Sequence, residues 1–215
     1  MNNPVMNHSP IDSFWQLVTN NADQLRSLVN EETELAHELL QQVQDQLSDI
    51  DPHLTVFCAR DQNGTGIELV FGCDGFSQSI DTVLFLVAAA PPIERIKVLA
   101  FNPRVEQIPE AIEIGDAVLE LDELYFGLRN IGQELHLDLY LEDLPMLDDA
   151  PQTDAALMFL DAIVGEYDLM TRIHSVNWLD LPEDPLDHGL KPLVELRQKF
   201  DLLRPKQPAL GEALH

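Results

Sequence analysis

Between Glu134 and Glu142 the chain alternates without a break: Leu135, Leu137, Leu139 and Leu141 occupy the odd positions, and Glu134, His136, Asp138, Tyr140 and Glu142 the even ones. Side chains of an extended strand point to opposite faces with a period of two, so this segment fits a strand with one dry face and one wet face. A helix would scatter the four leucines around its circumference. The chain therefore needs a sheet whose leucine side is covered and whose other side stays polar, as in mainly antiparallel sheets with helices on one face.

The flanking segments extend this pattern. Val56 and Cys58, then Ile67, Leu69 and Phe71, alternate on either side of Asn63-Gly64, a dipeptide suited to a type I′ turn. That spacing pairs Cys58 with Leu69 and Val56 with Phe71, and it holds Cys58 and Cys73 beyond disulfide reach. Asp74 is placed to cap a helix carrying Phe76, Ile80, Val83, Leu84 and Val87, which Ala88-Ala89-Ala90-Pro91-Pro92 ends before a strand from Ile96 to Phe101. After an acidic connector, Asn102 to Asp116, the order recurs. Residues 117–128 read as a strand, Asn130 to Gly132 as a turn and Glu134 to Leu141 as a strand; a helix follows from Thr153 through Leu157, Leu160, Ile163 and Val164 to Gly165, then a strand from Leu169 to Leu179.

Two ββαβ units, 54–102 and 117–181, thus predict an α+β fold with one mainly antiparallel sheet of about six strands and helices on one face. Ahead of them, 12–50 reads as helical. Asp12 or Ser13 would cap a helix bearing Phe14, Leu17, Val18, Leu25 and Leu28, interrupted at Asn20-Asn21 and Asn30, and a second helix repeats Leu35, Leu39, Val43 and Leu47 every fourth residue. A C-terminal helix over 186–204, opened by Pro192, completes a single domain spanning 12–204, with 1–11 and 205–215 as flexible ends.

Charge decides which partners can approach. The chain has 38 acidic residues against 12 Lys and Arg, a formal charge of −26. Residues 106–149 hold thirteen acids and one base, Arg129, whereas five of the twelve bases fall between Lys191 and Lys206. Nucleic acids and anionic membranes are bound through Lys and Arg clusters, so neither is an expected partner, and a basic protein is. No apolar run approaches the length needed to span a bilayer, the first ten residues lack a signal-peptide layout, and two cysteines make no disulfide framework; a cytoplasmic protein is expected.

Chemistry is sparser. The even-numbered stripe Glu134, His136, Asp138, Tyr140 and Glu142, joined by Arg172 and His174 from the last strand and by Trp178 at its end, forms the candidate binding surface. A carboxylate beside a histidine can orient it for acid–base work, which makes His136, Asp138 and His174 the catalytic candidates; a solvated sheet face is the plainer alternative. Cys73, at a strand end before a helix N-terminus, could be a nucleophile, although small buried cysteines are frequent there. Glu34 and His37 have E-x-x-H spacing without a second copy, and Asp148, Asp149 and Asp154 miss the calcium-loop pattern, so no metal and no cofactor are expected. Gly64-Thr65-Gly66 and Gly75-Phe76-Ser77 are turns rather than a dinucleotide loop or a nucleophile elbow, since Ser79 stands where the elbow needs glycine.

Phe14-Trp15, Ala88-Ala89-Ala90-Pro91, Leu99-Ala100-Phe101-Asn102-Pro103-Arg104 and Leu190-Lys191-Pro192-Leu193-Val194-Glu195-Leu196 together resemble a family of bacterial cytoplasmic α/β proteins. The resemblance implies a bacterial source and brings no activity with it. The sequence leads to the expectation of a non-enzymatic protein-binding or regulatory module of the immunity or inhibitor kind. The alternatives are a small hydrolase or transferase using the His/Asp group, and a homo-oligomeric structural protein, a homodimer included.

Overall fold

The computed structural model describes residues 9–28, 34–61, 64–132, 134–142 and 151–203. The fold is α+β and rich in antiparallel pairs, and the chain divides into two compact units, Met1–Asn102 and Pro103–His215.

In the first unit, helices α1 (Pro10–Asn20), α2 (Ala22–Leu28) and α3 (Glu34–Ile50) precede strands β1 (Thr55–Arg60) and β2 (Ile67–Gly72), helix α4 (Ile80–Ala88) and strand β3 (Ile96–Ala100). Helix α1 starts earlier than its apolar spacing suggests. Ser9 precedes it as the N-cap, its backbone N–H donating to the Asp12 carboxylate at 3.3 Å, so Asp12 acts inside the first turn and residues 10 and 11, expected as loose chain, belong to the helix. The break falls at Asn21, whose side chain donates to the Leu17 carbonyl at 2.9 Å. Leu39, Val43 and Leu47 form the buried stripe of α3.

Strands β1 and β2 pair antiparallel in the expected register, Cys58 opposite Leu69 and Val56 opposite Phe71, and β3 joins β2 in parallel. Phe14, Trp15 and Phe71 pack edge to face with centroids 5.1 to 5.8 Å apart, and the Trp15 indole N–H donates to the Leu86 carbonyl of α4 at 3.0 Å. That bond lets a large apolar ring be buried without stranding its one donor. Gly66 is required where it stands: a Cβ there would lie 2.5 Å from the Arg95 carbonyl oxygen, the atom that accepts from the Ile67 N–H at 3.0 Å. Asp74 does not cap α4. It sits in the left-handed region at φ 47°, and a 3-10 turn, Ser77–Ser79, leads into the helix.

The second unit begins where a connector was expected. Strand β4 (Ala111–Ile114) lies inside it and forms a hairpin with β5 (Ala117–Glu120), turning at Gly115 with φ 59°. A 3-10 turn, Leu121–Glu123, separates β5 from β6 (Tyr125–Ile131), so the predicted strand 117–128 is two strands. Then come β7 (Glu134–Leu141), α5 (Pro151–Val164), α6 (Glu166–Arg172), β8 (Ile173–Asp180), β9 (Lys191–Pro192), a 3-10 turn at Leu193–Glu195, and α7 (Leu196–Leu203). Pro192, expected to open the last helix, pairs instead with Tyr125 at the sheet edge, where its missing N–H costs nothing.

The sheet order is β8-β7-β6-β9, with β6 and β7 antiparallel and β7 and β8 parallel. In place of one sheet of about six strands the described chain has three, of three, two and four strands. The ββαβ repeat nevertheless holds at the level of topology. In each unit a hairpin is followed by a helix and a strand that returns parallel to the hairpin's second strand.

Leu137, Leu139 and Leu141 are buried against Ala156, Phe159, Leu160 and Ile163 of α5 and Phe200 of α7. Each buried leucine contributes about 2 kcal/mol, and a one-residue slip would turn the whole set outward, so the hydrophobic pattern fixes which face of β7 is wet. Two arginines close the C-terminal end of α5. Arg104 donates to the Val164 carbonyl at 2.6 Å, and Arg197 donates to those of Ile163 at 3.1 Å, Ala162 at 2.9 Å and Val105 at 2.7 Å. Carbonyls in a helix's last turn have no partner within the helix, and cationic donors satisfy them.

Candidate functional site

The wet face of the four-stranded sheet is set by three strands. Register places Arg129 of β6 opposite His136 and Gly127 opposite Asp138, while β8 brings Ser175 opposite His136 and Asn177 opposite Asp138. A β-bulge between Leu135 and His136 on this pairing inserts one extra residue, His174, into β8. The bulge reverses the parity of the rest of the strand. Ser175 and Asn177 share the polar face, whereas Val176 and Trp178 pack on the core. Trp178 is therefore not at the edge of the wet face.

Arg172 is not on that face either. The segment expected as the start of a strand is α6, in which Arg172 donates to Asp168 at 2.7 Å. The Glu166, Asp168 and Arg172 side chains belong to the α6 end of the unit, where Arg104 also pairs with Asp201 at 2.7 Å.

Two small networks occupy the wet face. In the first, the buried Asp138 carboxylate accepts from Arg129, through Nε to Oδ2 and through Nη2 to Oδ1 at 2.7 Å, and from the Asn177 amide to Oδ1 at 2.8 Å. The fork of Arg129 holds the Asp138 carboxyl below its ordinary range, with Asn177 adding to it, and Asp138 in turn raises the guanidinium. An ionised carboxylate with these partners is a structural anchor. No hydrogen bond joins it to His136, so the Asp138–His136 pairing that acid–base chemistry would need is not formed.

In the second, His136 Nδ1 lies 2.8 Å from Ser175 Oγ, and its Nε2 is buried with no hydrogen-bond partner, the nearest carboxylate oxygen being Glu134 Oε2 at 3.8 Å. Glu134 also lies 3.5 Å from His174 Nδ1, and the two imidazoles are 5.0 Å apart, centroid to centroid. His136 and His174 therefore converge, with Glu134 between them. Tyr140 is half-buried and Glu142 exposed on the same side. Among the described residues no group of three or more His, Cys, Asp or Glu could hold a metal ion.

The remaining candidates lie elsewhere. Cys73 is buried, and because the 3-10 turn intervenes it does not stand at the N-terminus of α4. Burial pushes the Cys58 thiol up to about 11, which disfavours its thiolate, and neither cysteine is in a disulfide. The side chains of Glu34 and His37, together with Asp148 and Asp149, lie outside the described residues; Asp154 is in the first turn of α5. Sequence reasoning missed Arg129, Ser175 and Asn177 as members of this face. The first could have been found by carrying the hairpin register across the Asn130 to Gly132 turn.

Among the described residues of 106–142, Asp138 is the one carboxylate that a lysine or arginine pairs. No described helix is long and apolar enough to cross a membrane. No protein-family model, curated protein or solved structure matches the chain.

Proposed function

We propose that this protein is a non-enzymatic protein-binding or regulatory module, of the immunity or inhibitor kind, that takes a basic partner protein against the carboxylates of its second unit. One observation carries the reading: Arg129, the sole base among residues 106–149, is consumed internally by Asp138. The other acids of the described part of that stretch have no local countercharge, and a surface of one sign steers oppositely charged partners and repels phosphate. Glu134, Tyr140, Glu142 and His174 on the wet face are available contacts, while Asp138 serves as the framework beneath them. The same charge argues against nucleic acid or an anionic membrane as the partner.

The test is capture by the full chain from bacterial lysate at low and at high salt, with the retained proteins identified. Basic proteins retained only at low salt support the reading; identical background at both salt levels removes it.

A second reading draws on the Ser175, His136 and Glu134 line, which places a hydroxyl on an imidazole whose other nitrogen faces a carboxylate. A hydrolase would need that hydroxyl activated and a set of donors for the developing oxyanion. Covalent labelling of Ser175 by a serine-directed phosphonate would favour it.

A further inference from the structure

A cleft of about 460 Å³ opens in the second unit between the β4–β5 hairpin and the segment following β9. Its lining combines apolar residues, Ala111, Leu121, Pro192 and Val194, with three acidic ones, Glu110, Glu120 and Asp122. Val194, one of the lining residues, is 53% exposed and so accessible to a ligand in the cleft. The walls are tied together: the Leu121 N–H donates to the Glu110 carbonyl at 2.8 Å, and the Leu193 N–H to the Leu124 carbonyl at 2.8 Å. The lysine nearest in sequence, Lys191, is engaged with Glu195 at 3.4 Å, and among the described residues no lysine or arginine pairs Glu110, Glu120 or Asp122.

We infer that this cleft is the anchoring site for an arginine or lysine side chain of the basic partner. The inference rests on the reading of the protein as a binder of basic proteins and assigns that binding a place distinct from the wet sheet face. An arginine or lysine joins an apolar stem to a cationic head, so a cleft lined by both apolar and acidic residues complements both ends of one side chain. A purely apolar ligand would leave the Glu110 and Asp122 carboxylates to be desolvated without a cationic partner, and an anion would be repelled. Contact of the stem with the apolar lining adds to the ion pair, which contributes little when exposed and alone.

The experiment titrates the full chain with a blocked peptide alternating arginine and leucine, and with a matched glutamate and leucine peptide. It uses the wild type, a cleft pair E110Q/D122N, a face pair E134Q/E142Q of equal charge change, and Val194→Lys. Glu120 is spared because it and Glu123 cap the 3-10 turn at Leu121–Glu123 reciprocally. Supporting results are binding of the arginine peptide only, a loss of about fivefold in affinity confined to the cleft pair, and a larger loss in Val194→Lys, with Leu121 and Val194 methyl signals shifting on titration. Equal losses in both pairs, or a loss confined to the face pair, overturn the cleft assignment while leaving the acidic-binder reading intact. Absence of any binding by the wild type also overturns the cleft, whereas the binder reading stands or falls on lysate capture.

Discussion

Arg129 on β6 forks onto Asp138 of β7, Nη2 lying 2.7 Å from Oδ1, while Asn177 reaches the same oxygen from β8 at 2.8 Å, so three strands are tied at one buried carboxylate. The side chain of Asp138 is 8% exposed and that of Arg129 52% exposed, which makes the aspartate the partner that cannot fall back on water. Replacing Arg129 with methionine should therefore lower the urea unfolding midpoint, and by more than loss of a fully exposed ion pair would, because Asp138 is left buried without its cation. Because the Asp138 carboxyl is held below its ordinary range, its stabilisation is full above the unfolded value near 3.8 and disappears as pH falls through the lowered folded value. The difference between wild type and R129M should hold steady down to mildly acidic pH and shrink in strong acid; a difference independent of pH would show that charge is not its source.

Asp161 predicts the opposite pH dependence. Burial, and then the neighbouring Glu166, push its carboxyl up to about 7. A raised acid favours the folded state while it is protonated, so that stability is present below the unfolded value near 3.8 and is lost as pH rises through about 7. Asp161→Asn should be close to neutral near the unfolded value and stabilising by on the order of 2 kcal/mol above the folded one. Equal thermal unfolding midpoints for the two proteins at alkaline pH would contradict this.

Arg197→Met should expose the end of α5. Three carbonyls, those of Ile163, Ala162 and Val105, lose a charged donor at once. A destabilisation of about 2 kcal/mol is expected, with faster hydrogen exchange concentrated in the last turn of α5. A variant as stable as wild type would mean that water replaces the guanidinium without cost.

Ser175 should not react with a serine-directed phosphonate. Its hydroxyl meets His136 Nδ1, but the Asp138 carboxylate that could have oriented the ring is committed to Arg129 and Asn177. Intact-mass measurement after incubation decides the point, and a stoichiometric adduct lost in Ser175→Ala would shift the protein to the hydrolases.

Much of the fold was legible because it rests on period. The leucine alternation of β7, the register of Cys58 with Leu69, and the order strand, strand, helix, strand all follow from local pattern. The hairpin at Ala111–Ile114 and Ala117–Glu120 escaped notice because strands of four residues are too short to establish a period and Glu110, Glu113, Asp116 and Glu120 make the stretch read as an acidic connector; its Ile112 and Leu119 are buried in the tertiary core. The site was read less well. A single inserted residue at His174 reverses parity, exchanging Trp178 for Asn177 on the wet face, and nothing local in Ile173 to Leu179 marks the bulge. Arg172 was misplaced because Glu166–Arg172 is a seven-residue helix, too short to show a period. Charge was legible in total, but which base neutralises which acid depends on cross-strand register.

The acidic surface makes its most direct prediction in the salt dependence of association. With the protein recovered by lysate capture, the dissociation constant of the purified pair should weaken at least tenfold as ionic strength rises from well below to well above physiological, since exposed charges more than about 10 Å apart are screened there. A dissociation constant that stays constant across that range would contradict the claim that uncompensated carboxylates select the partner.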